Sequence, residues 1–255
     1  MKKAFTLAEV LIVLGIVGIV AAITIPTLIN AYNRKMLETR FKKTDAVITQ
    51  AIKMASEELG VDSFEVYNKV PQAEREATMD LFNSIWEKQF KGATKYYIKN
   101  IGTYVGNDKD YRSWGRLGIY SFQNGTHFSG NYYFSMIDNK QKAYALILPD
   151  GSMIGSPQIV GSTGSATSSK IMFDTNGPWA GPNRLGYDVF IYFSNPYYFA
   201  NNCSPIGGDT YSSRGDGCYK YAHKNQNPYD KNIGWWSSLY KSKSWWENLK
   251  SNSGN

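Results

Sequence analysis

From Val10 to Asn33 the chain carries no charge, and from Val10 to Ile23 every residue is apolar or glycine. Extended back to Phe5 and forward to Ile29, the run holds a single charged residue, Glu9. Wound as a helix, such a segment is roughly 37 Å long, enough to cross a hydrocarbon core of about 30 Å. A cleaved secretory signal would end in small residues followed by a polar break. Here Ala21-Ala22 is followed by Ile23, Ile25, Leu28 and Ile29, so the segment reads as retained. There is no second long apolar run, and mean hydropathy is −0.40, which excludes a multispan membrane protein.

Glu9 is the residue that such a span has to explain. A carboxylate in an apolar run costs up to about 3 kcal/mol at the centre of a membrane and less near its edge. The nearest cations, Lys2 and Lys3, lie six to seven residues upstream. Were the chain cut after Ala4, Phe5 would carry a new positive amine, and Glu9 of one copy has the reach to pair with that amine on a neighbouring copy. The plainer reading is a signal-anchor that tolerates a glutamate near its start.

The stretch Lys2-Lys3-Ala4-Phe5-Thr6-Leu7-Ala8-Glu9-Val10-Leu11-Ile12, followed by the apolar run with Pro26, resembles the class III leader of type IV pilins and type II secretion pseudopilins. The resemblance implies a leader of residues 1–4, cut by a prepilin peptidase between Ala4 and Phe5, with methylation of the Phe5 amine. It places Glu9 at the fifth mature position, where it serves assembly, and Pro26 at the family's helix-bending proline. The departure is Ala4, where the family has glycine; alanine is the smallest replacement.

Beyond the span, Leu37, Phe41, Thr44, Ile48, Ile52, Ala55 and Leu59 recur at helical spacing, while Lys42, Lys43, Asp45, Lys53 and Glu57 fall off that stripe. Gly60 is a natural C-cap. One helix of roughly 80 Å is predicted from Thr6 to Leu59, interrupted at Pro26. Its first half, residues 5–29, forms a transmembrane and polymerisation helix. Its second half belongs to a globular domain, residues 30–255, whose apolar face the stripe must meet. Gly18 and Ala22 add a small-xxx-small spacing that permits close helix approach.

Within the domain a short helix is predicted near Asp80–Phe90. Strands are predicted at Lys95–Lys99, Leu117–Phe122, Tyr132–Ile137, Ala143–Leu148, Ser152–Ile154, Lys170–Phe173 and Tyr187–Phe193. Gly155–Ser169, rich in Gly, Ser and Thr, reads as a surface loop. The sequence after Phe193 reads as irregular, with one helical hint at Ser244–Leu249. The predicted class is α+β: a long N-terminal helix on an antiparallel sheet, with an irregular C-terminal region bounded by a disulfide.

Asp174-Thr175-Asn176-Gly177, then Gly181-Pro182-Asn183-Arg184-Leu185-Gly186-Tyr187-Asp188-Val189-Phe190, resembles a segment that recurs in pseudopilin-like proteins. Asp, Asn and Gly form turns through side-chain bonds to nearby backbone. Asp174, Asn176 and Asp188 also offer hard oxygen ligands to calcium, without the regular series or terminal Glu of an EF-hand. Both readings stand at this point, and no cofactor is otherwise required.

Cys203 and Cys218 are the two cysteines of the chain. A domain outside the cytoplasmic membrane lies where disulfides persist, and the pattern resembles the disulfide-bounded C-terminal region of pilins. The alternative is two unpaired thiols. Arg214-Gly215-Asp216 spells an adhesive tripeptide that arises readily by chance. Trp235-Trp236 and Trp245-Trp246, interleaved with Lys231, Lys241, Lys243 and Lys250, either close the core or present a surface for nucleic acid or glycan.

Catalytic motifs are missing: there is no phosphate-cradling Gly-rich loop, no Gly-x-Ser-x-Gly elbow and no His-Glu-x-x-His. His127 and His223 read as ordinary histidines. The net charge of +7 is spread along the chain and is too mild to mark a nucleic-acid binder by itself. The expected function is that of a structural subunit of a type IV pilus or type II secretion filament. Its expected partners are membrane lipid before assembly, the prepilin peptidase, an inner-membrane assembly platform and homologous pilin subunits. Its expected location is the inner membrane, then a periplasmic or cell-surface filament. A tip-located binding module and a membrane-anchored extracellular enzyme are the alternatives.

Overall fold

The computed structural model describes residues 6–60, 71, 74–97, 119–120, 127–128, 144–162, 165–194, 203, 215 and 217–252. Helix α1 runs unbroken from Leu7 to Leu59. Thr6 caps its start in a capping box with Glu9, and Gly60, at φ 70°, closes its end in the left-handed conformation. The predicted interruption at Pro26 is absent, since the helix continues through it. Pro26 has no N–H for the Ala22 carbonyl, but a ring costs one such bond and leaves the winding on either side intact. The Thr24 and Thr27 hydroxyls donate to the Val20 and Ile23 carbonyls, which keeps both polar groups satisfied inside the helix.

The two halves of α1 differ in what surrounds them. Leu37, Phe41, Thr44, Asp45, Ile48, Ala51, Ala55 and Ser56 are buried, and Ile52 and Leu59 pack partly against the same core. Every large apolar side chain from Leu7 to Ile29 is exposed. Helix α2 follows at Arg75–Lys88. It starts earlier than its apolar pattern predicts, because its first turns carry little besides polar helix formers. It seats Phe82, Ile85 and Trp86 against α1.

The main sheet is antiparallel and contains β1 Thr94–Tyr97, β4 Tyr144–Ile147, β5 Met153–Gly155, β6 Gln158–Ser162, β7 Ser165–Asp174 and β8 Val189–Phe193. Strands β2 Ile119–Tyr120 and β3 His127–Phe128 pair separately. β4 lies between β1 and β5, and β8 lines one edge of β7. On the other edge of β7, β5 faces residues 173–174 and β6 faces residues 165–170. β5 and β6 therefore act as one interrupted strand. Tyr144, Leu146, Ile154, Ile171, Phe173 and Phe190 alternate along their strands and join the core that α1 closes. Phe41 is the hub, with its ring 4.6 Å from Phe190, 5.2 Å from Trp236 and 5.9 Å from Phe173.

Gly155–Ser169 is not a surface loop. Gln158–Ser162 and Ser165–Asp174 form a hairpin whose register shifts between Val160 and Gly161. Ladder bonds come from the backbone, so a Gly- and Ser-rich run pairs once β7 is held on its other edge by β8. The predicted strand at Tyr132–Ile137 lies outside the described residues. The segment after Phe193 contains helices α3 Tyr219–Lys224, α4 Trp235–Ser238 and α5 Lys243–Asn252. Only α5 was foreshadowed, because four to six residues are too few to show a helical period.

Candidate assembly and anchoring site

At the N-terminal end of α1, the Thr6 backbone N–H donates to Glu9 Oε2 at 2.8 Å, and the Thr6 hydroxyl donates to the same oxygen at 3.0 Å. The Glu9 N–H donates back to Thr6 Oγ1 at 3.2 Å. Two of the N–H groups orphaned at a helix start are thus used, and the carboxylate sits at the positive end of the helix. The first turn of α1 therefore contains both the acid and its local partner. Ala4 and Phe5 lie outside the described residues. Among the described residues, α1 alone is long and apolar enough to cross a membrane, with a hydropathy of 2.6 and no part of that stretch buried.

At the domain end, Asp174, Asn176 and Asp188 come together in one knot. Asp174 Oδ1 accepts the N–H groups of Asn176 and Gly177 at 3.1 and 3.0 Å. Asp188 takes the N–H groups of Arg184 at 2.6 Å and Asn183 at 2.9 Å on its two oxygens. The Asn176 amide donates to the carbonyls of Ala180 and Gly181. These are the turn bonds expected of the motif. Gly177 has φ 82°, and a Cβ there would lie 2.0 Å from the Gly151 carbonyl oxygen, so only glycine lets the two turns touch. Asp150, in that second turn, is tied to α1 by Lys43 at 2.7 Å.

Both carboxyls are nearly fully buried. Burial raises the Asp188 pKa to about 6, opposed by the N–H bonds from Arg184 and Asn183. Burial, then the Asp188 charge, pushes Asp174 well above the usual carboxylate range, opposed by its own N–H bonds and by Arg40. As to calcium, Asn176 Oδ1 and Thr175 Oγ1 are buried acceptors without a hydrogen bond, and they lie among the two carboxylates in sequence. Such oxygens suit a hard cation, although no group of three His, Cys, Asp or Glu is gathered among the described residues.

Cys203 and Cys218 are bonded, with their Cα atoms 4.9 Å apart. Cys218 leads directly into α3, which carries a contact that the sequence did not disclose. The Tyr219 hydroxyl donates to Asp45 Oδ1 at 2.6 Å, and His223 Nδ1 lies 2.8 Å from Asp45 Oδ2. Asp45 is polar and off the stripe, yet it is buried because α3 lays two partners four residues apart over it. Burial, and then the Asp45 charge, raise the Tyr219 pKa and keep its hydroxyl protonated. Trp235, Trp236 and Trp246 are buried in the core, and Trp245 packs partly against it, so the tryptophan pairs close the core. A further cavity of about 330 Å³ opens between α1 and the knot.

Comparison with known proteins gives two matches. Residues 27–133 match a family of unknown function (DUF6613), and residues 1–25 match the prokaryotic N-terminal methylation motif. No curated protein and no solved structure matches the chain. With the capped, solvent-facing apolar helix that starts within it at Leu7, the N-terminal match identifies residues 1–25 as a class III prepilin signal, the motif typical of type IV pilins and pseudopilins.

Proposed function

We propose that the chain is a pilin-like structural subunit of a type IV pilus or type II secretion filament. It is held in the inner membrane by Leu7–Ile29, cut by a prepilin peptidase between Ala4 and Phe5, and passed by an assembly platform to homologous subunits. The observation that carries this reading is the single helix α1. Its first half begins inside the prepilin signal and exposes apolar side chains on every side, while its second half is buried in a domain. Chemistry is done to this protein rather than by it.

In this reading the neighbour's Phe5 amine becomes the partner of Glu9 in the filament. The Thr6–Glu9 box survives the cut, because Thr6 keeps its amide. Glu9→Ala is expected to insert normally and to fall out of sheared filaments, since it leaves a buried amine unpaired. Mass spectrometry of the mature N-terminus and of sheared material checks both steps. An intact Met1 on mature protein, or normal incorporation of the variant, rejects the proposal.

Calcium held by Asp174, Asn176 and Asp188 is a second reading of the knot, favoured by the unbonded Asn176 and Thr175 oxygens. Its test is the melting temperature in calcium against a chelator. An unchanged value leaves the knot a hydrogen-bonded turn.

A further inference from the structure

The cavity between α1 and the knot is lined from the helix side by Asn33, Met36, Leu37 and Arg40, and from the loop side chiefly by Arg184 and Tyr240. Its height on the molecule follows from the helix. Asn33 and Arg40 lie four and eleven residues past Ile29, or roughly 6 and 16 Å along the axis. The polar layer outside the hydrocarbon core is about 5–7 Å thick on each side. The Asn33 end of the cavity therefore lies at headgroup level, and its Arg40 end stands about 9 Å beyond that layer.

Its surroundings match that level. Trp179 is 51% exposed, Tyr240 39% and Tyr32 66%, and Tyr240 lines the cavity itself. Tyrosine and tryptophan gather at membrane interfaces because one end of the ring is apolar and the other wet. Lys35 and Lys241 are exposed beside them, and Arg34 acts electrostatically on Tyr240. The Arg184 guanidinium stacks over Tyr187 at 4.4 Å, a contact that orients the planar fork. Among the described residues, the charged side chains lining the cavity are Arg40 and Arg184, and Arg40 acts electrostatically on the buried Asp174. Asp188 directs its oxygens to the backbone N–H groups of Asn183 and Arg184.

We propose that this cavity is a phospholipid site, in which Arg40 and Arg184 hold the phosphate of an anionic headgroup while the subunit waits in the membrane. Guanidinium forks bind phosphate through paired N–H bonds, and Met36, Leu37 and Pro182 offer an apolar wall to the glycerol end. The inference rests on the proposal that Leu7–Ile29 spans the membrane.

The test uses the full-length chain in nanodiscs of phosphatidylcholine alone and of phosphatidylcholine with a minority of phosphatidylglycerol, in chelator-containing buffer. Hydrogen exchange of residues 178–187 and 240–241 is the readout. Exchange is expected to slow by about tenfold with phosphatidylglycerol, as one charge-assisted contact provides. Arg184→Gln should abolish the slowing. Arg40→Gln should do the same, and its melting temperature is measured because Arg40 also acts electrostatically on the buried Asp174. Lys91→Gln, an exposed cation elsewhere, should leave it unchanged. Equal exchange in the two nanodiscs overturns the site. Equal slowing by inorganic phosphate in phosphatidylcholine nanodiscs overturns lipid as its occupant. Failure to enter either nanodisc sinks the membrane span itself, whereas insertion without protection sinks only the site.

Discussion

Leu7–Ile29 and Leu37–Leu59 are parts of one helix with similar backbone geometry and opposite fates. Ile23 is 69% exposed, whereas Phe41 is 1% exposed. The first half is apolar on every side, so no single face can satisfy it within its own chain; it needs lipid or other helices around its whole circumference. The second half is apolar on one stripe, and one sheet with three short helices covers that stripe. The difference shows that helix formation itself is cheap here. What distinguishes the halves is the number of faces that must be kept from water.

The largest test of that contrast is to divide the helix. A fragment starting near Asn30 is expected to fold as a soluble domain, because it retains the whole stripe. A fragment starting at Gly60 is expected to aggregate, because the core around Trp86, Phe173 and Trp236 loses its cover. Equal solubility and melting of the two fragments would break the comparison.

Next in size are single truncations in each half. Phe41→Ala should destabilise the domain by about 3–5 kcal/mol in denaturant unfolding, through lost burial and the cavity left among Phe173, Phe190 and Trp236. Val17→Ala should shift the same measurement by less than about 0.5 kcal/mol, because Val17 touches no part of the domain. A large effect of Val17→Ala would mean that the halves are energetically joined.

Reduction of Cys203–Cys218 probes what covers the docked half. The fifteen-residue separation predicts a loss of about 3 kcal/mol, felt first where α3 sets Tyr219 and His223 on Asp45. Proteolysis should start between Cys203 and Cys218 while α1 stays protected. Unchanged cleavage after reduction would show that α3 is held by packing alone.

The smallest effect is a pH dependence confined to the docked end. Asp188 has its pKa raised to about 6 from 3.8, so the folded state binds more protons than the unfolded state between those values. Its contribution is complete below the unfolded value and is lost as pH rises through about 6. The melting temperature should therefore fall between pH 4.5 and 6.5 by an amount that Asp188→Asn removes. A variant with the same slope as the parent would assign the titration elsewhere, Asp174 being the neighbour to examine.

Much of this was written in local signals. The prepilin signal, the capping residue Gly60, and the stripe from Leu37 to Leu59 needed no partner to be recognised. Asp174, Asn176 and Asp188 were legible as turn formers because their bonds reach only a few residues. Ala4 and Phe5 lie outside the described residues, so their processing stays with the proposed function. Within the hairpin, Gln158–Ser169 was misread as loop while Lys170–Phe173 was legible as strand, since the Gly- and Ser-rich part is held by ladder bonds rather than by its own side chains.

The sequence by itself determined the long helix, its two-part character and the turns, because each depends on spacing or on bonds within a few residues. Only the tertiary structure decided which polar groups are buried. Asp45 lies on the charged side of a helical wheel, and 174 residues separate it from the tyrosine that satisfies it. Likewise the tryptophan pairs became core, and Arg40 and Arg184 came to share a cavity, because the sheet and the disulfide-tethered helices fold back onto α1. Burial is a property of distant segments meeting, and no local pattern records it.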